Sequence, residues 1–391
     1  MMKQNITLGV EHFLDDHTDL LKGKRVALLA HAASINHQFQ NTSELFFHHN
    51  DINLVKIFGP EHGLFGTAQD MESVSALQDP LTALPVVSLY GDSIESLQPK
   101  QSDLKDIDIL VIDLQDVGSR YYTYIYTMAL CMKVCGQMNI PVVVLDRPNP
   151  INGKDVEGNV LDPKYASFVG LYPLPVRHGM TIGELAYYFN DTQNFGAQLQ
   201  VIPMKGWRRE HYMDQVSAPW TPPSPNMPKL DTAIVYPGGC LLEATELSEG
   251  RGTTMPFEWV GDPIIDPKEL SDALNDLNLK GVCFRPIAFK PMFQKHATKE
   301  CFGVQWHVSD REQFRAYEAG LHFIKTVAEL YPNDFAWRAK PYEFVKDIPA
   351  IDLLTGNDSF RLHLEGKAEF PDLKIGLKDF LEKRREHLIY K

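Results

Sequence analysis

The stretch from residue 108 to residue 128, DILVIDLQDVGSRYYTYIYTM, constrains the fold of this chain more than any other. It begins with an apolar run at 109–112, which is typical of a strand buried within a parallel sheet. Apolar residues then recur at 125, 128, 129, 132 and 135, a spacing that predicts an amphipathic helix. Between the two lies a run rich in polar and aromatic residues, among them Asp113, Gln115, Asp116, Arg120, Tyr121 and Tyr122. One aspartate could simply cap the helix, but so many functional groups in one loop favour a ligand site at the strand tip.

The pattern of an apolar strand followed by polar residues occurs three more times. The strands are predicted at 26–30, 54–58 and 141–145, and the residues that follow them are His31, then Glu61 with His62, then Asp146 with Arg147. A further strand is predicted at 86–90. Because strands that alternate with helices form parallel sheets, all four tips should face one edge. The sequence therefore predicts an α/β fold with one convergent site.

The segment PPSPNMP at 222–228 predicts a rigid connector, and we place a domain boundary there, between domains 1–228 and 229–391. A capping-box pattern at Thr181 and Glu184 predicts the start of a helix in the first domain. In the second domain we predict helices at 263–282 and 311–330, short strands near 282–284 and 304–306, and a helical end. Arg251 lies between two glycines, which is compatible with a ligand-binding loop or with a plain surface turn.

Composition excludes several classes of function. The net charge is −13 and no basic run is present, so neither nucleic acid nor an anionic membrane is expected as a partner. The five cysteines have no regular spacing, which argues against a disulfide framework or a zinc cluster. GxGxxG, GxxxxGK[ST], GxSxG and HExxH motifs are absent, and no cofactor is expected. Without an apolar leader we expect a cytoplasmic protein, unless an export signal has been removed. The sequence does not indicate the oligomeric state.

Carboxylates beside tyrosines and arginines fit the hydrolysis of a glycosidic bond, which needs a protonated acid at the leaving oxygen. Glu61 is the best candidate for this acid, because Pro60 and Gly63 fix it beside a buried sheet that would favour its protonated form. The alternative is a carboxylate that stabilises a helix start. Asp113 or Asp116 would be the second carboxylate.

The remaining candidates, which include His31, His62, Gln115 and Asp146, would bind the substrate. Arg120, Arg177 and Arg251 could each hold an anionic substituent through a bidentate pair. Tyr121, Tyr122 and Tyr124 could stack on sugar faces or bond to sugar hydroxyls.

Several long motifs resemble those of the NamZ-type exo-β-N-acetylmuramidase family, formerly the domain of unknown function DUF1343. They are FGPEHGLFG at 58–66, DLQDVGSRYYTYIYTM at 113–128, LDRPNPING at 145–153, PVRHGMT at 175–181, PPSPNMP at 222–228 and SEGRGTT at 248–254. The resemblance implies a Rossmann-like first domain and a smaller α+β second domain that closes a cleft.

The resemblance also implies the activity, which is release of N-acetylmuramic acid from the non-reducing end of peptidoglycan fragments. The expected substrate is a small muropeptide or a disaccharide that ends in N-acetylmuramic acid. The family's catalytic glutamate corresponds to Glu61, and other cleft motifs correspond to Asp113, Gln115, Arg120, Tyr121, Tyr122 and Asp146. One departure is Ala30-His31, where relatives often carry Thr-Asn.

Three mechanisms stay open: attack by a carboxylate, by water, or by the acetamido group of the substrate. We favour the last, with Asp113 or Asp116 orienting the acetamido group. Two other functions also stay open. One is a metal-dependent amidohydrolase or deacetylase that uses His31, His62 and Asp113. The other is a muropeptide-binding protein without catalytic activity.

Overall fold

The computed structural model describes residues 3–66, 77–91 and 93–391. Seven strands form the first sheet: β1 Arg25–Ala30, β2 Asn53–Gly59, β3 Leu77–Gln78, β4 Pro85–Ser88, β5 Ile109–Asp113, β6 Val142–Leu145 and β7 Leu199–Ile202. Their order is β3-β4-β2-β1-β5-β6-β7, and every pair is parallel except β3 with β4. The helices of this part are α1 Gly9–Asp16, α2 Thr42–Phe47, α3 Gln101–Leu104, α4 Tyr124–Met138 and α5 Ile182–Thr192.

The chain runs outward from the centre of this sheet in two directions. It passes from β1 through β2 to β4 on one side, and from β5 through β6 to β7 on the other. The switch point lies between β1 and β5, where open α/β sheets form a crevice at the carboxyl ends of their strands. Every residue of β5 and β6 is buried, as the continuous apolar runs predict. The α/β prediction is confirmed, and so are the strands predicted around it.

The second sheet is small and antiparallel, in the order β8-β10-β9, from β8 Trp259–Asp262, β9 Val282–Phe289 and β10 Cys301–Val308. It is accompanied by helices α6 Leu230–Gly239, α7 Pro267–Asp276, α8 Ala316–Leu330, α9 Ala350–Thr355, α10 Ser359–Leu364 and α11 Leu377–Arg385. Helix α7 is shorter than the predicted 263–282, because the Asp266 side chain caps it by accepting from the backbone N–H groups of Lys268 and Glu269.

Helices α6 and α8 approach each other closely at Gly238 and Gly320. A Cβ atom added to Gly238 would lie 1.9 Å from the backbone oxygen of Ala316, so only glycine allows this contact. In the part of the chain that the structure describes, no helix is long and apolar enough to cross a bilayer.

The end of the chain returns to the first sheet. The Tyr390 hydroxyl donates to the Asp146 carboxylate at 2.6 Å, and the backbone N–H of Ile389 donates to Glu184 at 2.9 Å. Arg384 donates to the backbone oxygens of Gly153 and Gly179. The predicted boundary at residue 228 stays a prediction, since the last residues pack on the part of the chain that precedes it.

Candidate active site

A cavity lies where the first sheet meets the second half of the chain. Residues up to the end of the connector form one wall: Glu61, His62, Tyr121, Tyr122, Thr123, Val169, Ser224, Asn226 and Met227. Residues after it form the other wall: Tyr236, Glu243, Arg251, Phe257, Tyr342 and Glu343. Both halves therefore contribute carboxylates and tyrosines to one cavity, and such a cavity is the usual setting for a small-molecule site.

Glu61 reaches this cavity from the turn that ends β2. After Pro60, His62 and Gly63 adopt left-handed backbone conformations with φ of +68° and +78°, which turn the chain sharply and hold Glu61 at the strand tip. The side chain is only 5% exposed, and its Oε2 accepts a hydrogen bond from the Thr123 hydroxyl at 2.7 Å. The Tyr124 hydroxyl lies 3.1 Å from the backbone oxygen of Glu61. The start of α4 thus fixes Glu61 through both its side chain and its backbone.

The other strand tips converge as predicted, but they bond to each other. Arg147 forms a bidentate pair with Asp113, with Nε to Oδ1 at 2.5 Å and Nη2 to Oδ2 at 2.8 Å. The Thr42 hydroxyl also donates to Asp113 Oδ2, and the carboxylate is completely buried. His31 Nε2 accepts from the backbone N–H of Gln115 at 2.9 Å, and its Nδ1 lies 3.3 Å from the backbone oxygen of Pro223. Burial and the nearby Arg147 guanidinium lower the pKa of His31 to about 3, so the ring is neutral.

These contacts bear directly on the metal-dependent alternative. The ring nitrogens of His31 and the carboxylate oxygens of Asp113 all bond to protein groups. Over residues 3–66, 77–91 and 93–391, no group of three or more His, Cys, Asp or Glu side chains is placed to hold a metal ion. His62 lies apart from the ion pair, in the cavity wall.

Asp116 and Gln115 lie behind the cavity wall. Asp116 Oδ2 accepts from the backbone N–H of Gly118 at 2.8 Å and lies 3.2 Å from His178 Nε2. The Gln115 amide donates to the backbone oxygens of Asp116 and Pro148. Both side chains therefore shape the loop that follows β5, and neither belongs to the cavity lining.

Of the three candidate arginines, the structure brings only Arg251 to the cavity. The fully buried Arg120 guanidinium donates to the backbone oxygens of Asn159, Leu174 and Leu354. Arg177 donates to the backbone oxygen of Ile151 and lies 3.4 Å from Asp155. These two arginines tie loops together and are placed away from any substrate that the cavity could hold.

Asp146 is also placed away from the cavity. It accepts from the Thr181 and Tyr390 hydroxyls and from the backbone N–H of Gly183, and it is fully buried. Burial raises its pKa to about 7. Its contacts join the tip of β6 to the start of α5 and to the end of the chain.

The predicted tyrosines divide into two kinds. Tyr121 and Tyr122 line the cavity, whereas Tyr124 lies beneath them with its hydroxyl 2.8 Å from the backbone oxygen of Pro223. The Tyr121 hydroxyl is buried and finds no hydrogen-bond partner among the residues that the structure describes. Burial raises its pKa well above the usual value, so it is a hydrogen-bond donor. Tyr236 packs edge-on against both Tyr121 and Tyr122 and extends this aromatic wall.

Sequence reasoning did not identify the second wall beyond Arg251. Glu243 accepts from Arg251 Nη2 and from the Tyr342 hydroxyl, both at 2.6 Å. Three residues of the lining have positive φ: His62 at +68°, Phe257 at +62° and Glu343 at +46°. Such backbone strain in non-glycine residues concentrates at functional sites. No periodicity or spacing marks Glu243 or Glu343 in the sequence, and only the SEGRGTT loop pointed to this region.

A buried glutamate at a strand tip, a second carboxylate across the cavity and a wall of tyrosines are features of a glycoside hydrolase. The comparisons identify the family. The model described as "Exo-beta-N-acetylmuramidase NamZ, N-terminal" matches residues 26–231, and the corresponding C-terminal model matches residues 234–390. The chain belongs to the exo-β-N-acetylmuramidase NamZ family, as the sequence motifs predicted.

Individual relatives agree. The chain is 44% identical to peptidoglycan beta-N-acetylmuramidase NamZ of Bacillus subtilis (strain 168), over 99% of this chain and 92% of that protein. Crystal structures of two DUF1343 family proteins from Bacteroides fragilis NCTC 9343 are also similar. Their TM-scores are 0.87 and 0.74 and their identities 33% and 29%, each over 99% of both chains. The predicted glycosidase class and the two-sheet α/β architecture are confirmed.

Proposed function

We propose that this protein hydrolyses the β-glycosidic bond of N-acetylmuramic acid at the non-reducing end of peptidoglycan fragments, with Glu61 as the general acid. The observation that carries the proposal is the position of Glu61. Its buried carboxyl group lies in the cavity lining, and the Thr123 hydroxyl bonds to Oε2 at 2.7 Å. A carboxyl group placed there can give a proton to the leaving oxygen of a sugar bound in the cavity.

The cavity suits a terminal sugar. Its walls come from both halves of the chain, so a bound sugar would contact both of them. Tyr121, Tyr122 and Tyr236 offer aromatic surface for the sugar ring, and the buried Tyr121 hydroxyl can donate to a sugar oxygen. We therefore propose a small muropeptide, or a disaccharide ending in N-acetylmuramic acid, as the substrate.

The proposal does not assign Asp113 or Asp116 as an acid. Arg147 and Thr42 bond to the carboxylate of Asp113, and Asp116 lies outside the cavity lining. The cytoplasmic location and the domain boundary at residue 228 stay predictions from the sequence. In the cytoplasm the substrate would be an imported wall fragment.

The test is a comparison of leaving groups in Glu61→Gln. A general acid matters most when the leaving oxygen is basic, as it is in a sugar. We expect kcat/KM on the disaccharide of N-acetylmuramic acid and N-acetylglucosamine to fall by about 100-fold or more, the usual cost of losing acid catalysis. On 2,4-dinitrophenyl N-acetylmuraminide, whose leaving group needs no proton, the loss should stay below about tenfold.

Glu95→Gln is the matched control, because Glu95 is an exposed glutamate in the short 3₁₀ turn that follows β4. It should leave both rates unchanged. Equal losses on the two substrates in Glu61→Gln would contradict the acid assignment. If the wild-type protein binds the disaccharide tightly and leaves it uncleaved after long incubation, the alternative of a non-catalytic muropeptide-binding protein would replace the proposal.

A further inference from the structure

We infer that Glu243, contributed by the second half of the chain, is the second catalytic carboxylate and orients the acetamido group of the substrate. Arg251 and Tyr342 are the residues that position it. This inference rests on the proposed function, and it gives Glu243 the role that the sequence suggested for Asp113 or Asp116.

The position of Glu243 favours this role. Glu243 lies in the cavity lining with Glu61, in a buried 3₁₀ helix, Cys240–Ala244, that directly follows α6. Its side chain is buried, as the relative exposure of the residue is 8%. Asp113 has both oxygens engaged by buried partners, and Asp116 bonds to its own loop outside the lining. The cavity lining therefore offers Glu243 to a bound sugar and withholds both aspartates.

Charged groups surround the Glu243 carboxylate. Arg251 Nη2 donates to Glu243 Oε1 at 2.6 Å, and the Tyr342 hydroxyl donates to Oε2 at 2.6 Å. Arg251 Nε also lies 3.5 Å from Glu249, which pairs with Lys295 at 2.8 Å. The Arg251 guanidinium and the Lys295 ammonium thus lie beside the carboxylates of Glu243 and Glu249. The charge-assisted contact from Arg251 suits a carboxylate that stabilises positive charge on the substrate.

The hydrogen bonds of Glu243 favour an orienting role over direct attack on the sugar. Each of its oxygens accepts a short hydrogen bond, which draws electron density from the carboxylate and makes it a poorer nucleophile. Each oxygen still has a lone pair that can accept the N–H of an acetamido group. Such a contact would turn the acetamido oxygen towards C1 and stabilise the positive charge that develops on nitrogen.

The reaction then proceeds in two balanced steps. Glu61 gives its proton to the glycosidic oxygen as the bond from that oxygen to C1 breaks, and the acetamido oxygen forms a bond to C1. The product is a cyclic oxazolinium ion whose N–H bonds to Glu243. Water then adds to C1 and passes a proton to Glu61, while the bond from C1 to the acetamido oxygen opens. N-acetylmuramic acid leaves with the β configuration retained.

The experiment measures sensitivity to the acetamido group. Dinitrophenyl muraminides that carry N-acetyl, N-fluoroacetyl, N-difluoroacetyl and N-trifluoroacetyl groups are compared in wild type and in Glu243→Gln. Fluorine makes the acetamido oxygen a poorer nucleophile, so the wild-type kcat should fall by about 100-fold or more across the series. Glu243→Gln should lower kcat on the N-acetyl substrate by about 100-fold, with KM changed by less than about threefold. Across the series, the fold-decrease in kcat should be at least about tenfold smaller in Glu243→Gln than in wild type.

A flat series in wild type would overturn acetamido assistance, and a wild-type slope retained in Glu243→Gln would overturn the role of Glu243. The matched control is Glu246→Gln, an exposed glutamate three residues further on, which should behave as wild type.

Tyr342→Phe keeps the charge of Glu243 and removes one of its hydrogen bonds. It should lose about tenfold in kcat and show a partly reduced slope, and an unchanged rate and slope would refute its positioning role. This variant also serves if Glu243→Gln does not fold. Because every substrate in the series has a dinitrophenyl leaving group, failure of this inference is distinct from failure of Glu61 as the acid.

Discussion

Replacing Asp113 by asparagine distinguishes a structural role from the catalytic one that its position at a strand tip suggested. The structure predicts a large loss of stability. Asp113 is fully buried and forms a bidentate pair with Arg147, which is itself only 4% exposed. Asparagine preserves the volume, so no cavity forms, but the Arg147 guanidinium loses its counter-charge and the introduced amide would turn a donor towards Arg147 or Thr42.

Removal of one partner from a buried ion pair costs about 3–5 kcal/mol. A domain of ordinary stability has about 5–15 kcal/mol in total, so Asp113→Asn would lose a large share of it. Urea unfolding at pH 7, followed by circular dichroism, would measure this loss. Asp146→Asn is a matched control, since Asp146 is equally buried at the next strand tip and bonds to hydroxyls and backbone N–H groups. It should cost less, about 1–3 kcal/mol, because the introduced amide can leave a buried polar group unsatisfied but no cation loses its counter-charge.

The refuting result is a variant Asp113→Asn that unfolds at the wild-type urea concentration but has lost kcat. That outcome would make Asp113 a catalytic group and its ion pair incidental. If the variant is too unstable to study, the double variant Asp113→Leu with Arg147→Met offers a second measurement. Apolar replacement of both partners of a buried pair is often nearly neutral, so the double variant should recover most of the loss.

Two more predictions follow from individual contacts. Thr123→Val removes the hydroxyl that donates to Glu61 Oε2 and keeps the side-chain shape. We expect kcat/KM on the disaccharide to fall by about tenfold, while the free energy of unfolding in urea changes by no more than the value of one hydrogen bond. An unchanged kcat/KM would show that Thr123 does not position the acid. His31 has its pKa lowered to about 3 by burial, so the unfolded chain binds the extra proton between pH 6.5 and 3. The contribution of His31 to stability is full above pH 6.5 and is lost as the pH falls, by about 1.4 kcal/mol per pH unit. His31→Gln, which keeps an acceptor for the Gln115 N–H, should flatten that slope in urea unfolding from pH 7 to pH 4, and an equally steep slope would contradict the lowered pKa.

The strands and the edge at which they converge were predictable because burial on both faces leaves a simple signal. The runs at 109–112 and 142–145 are continuous and apolar, and both form central strands. Short strands gave no such signal, and β3, which has two residues, and β8, which has four, were not predicted. Helix α7 was predicted to start too early, because the Asp266 side chain caps the helix and sets its first residue at Pro267.

The site was predictable only in part, because a polar residue at a strand tip can face the ligand or face another tip. Glu61 faces the cavity, whereas Asp113 bonds to Arg147 from the next tip. In both cases a polar residue follows an apolar strand in the sequence. Only the packing of the side chains in the folded protein distinguishes the two residues. Glu243 and Tyr342 lie 99 residues apart and meet through tertiary structure alone, so no local pattern could reveal their contact.

The two carboxylates of the proposed mechanism come from opposite sides of the cavity, so the arrangement of the two halves sets their separation. Buried contacts outside the cavity lining join the two halves. Glu157 Oε1 accepts from the backbone N–H groups of Tyr317 and Glu318 at the start of α8, and the Tyr317 hydroxyl donates to Asn159. Because catalysis depends on geometry to within about 1 Å, residues that join the halves influence the rate without touching the substrate. In the proposed mechanism the second half therefore contributes a catalytic group as well as one wall of the cavity.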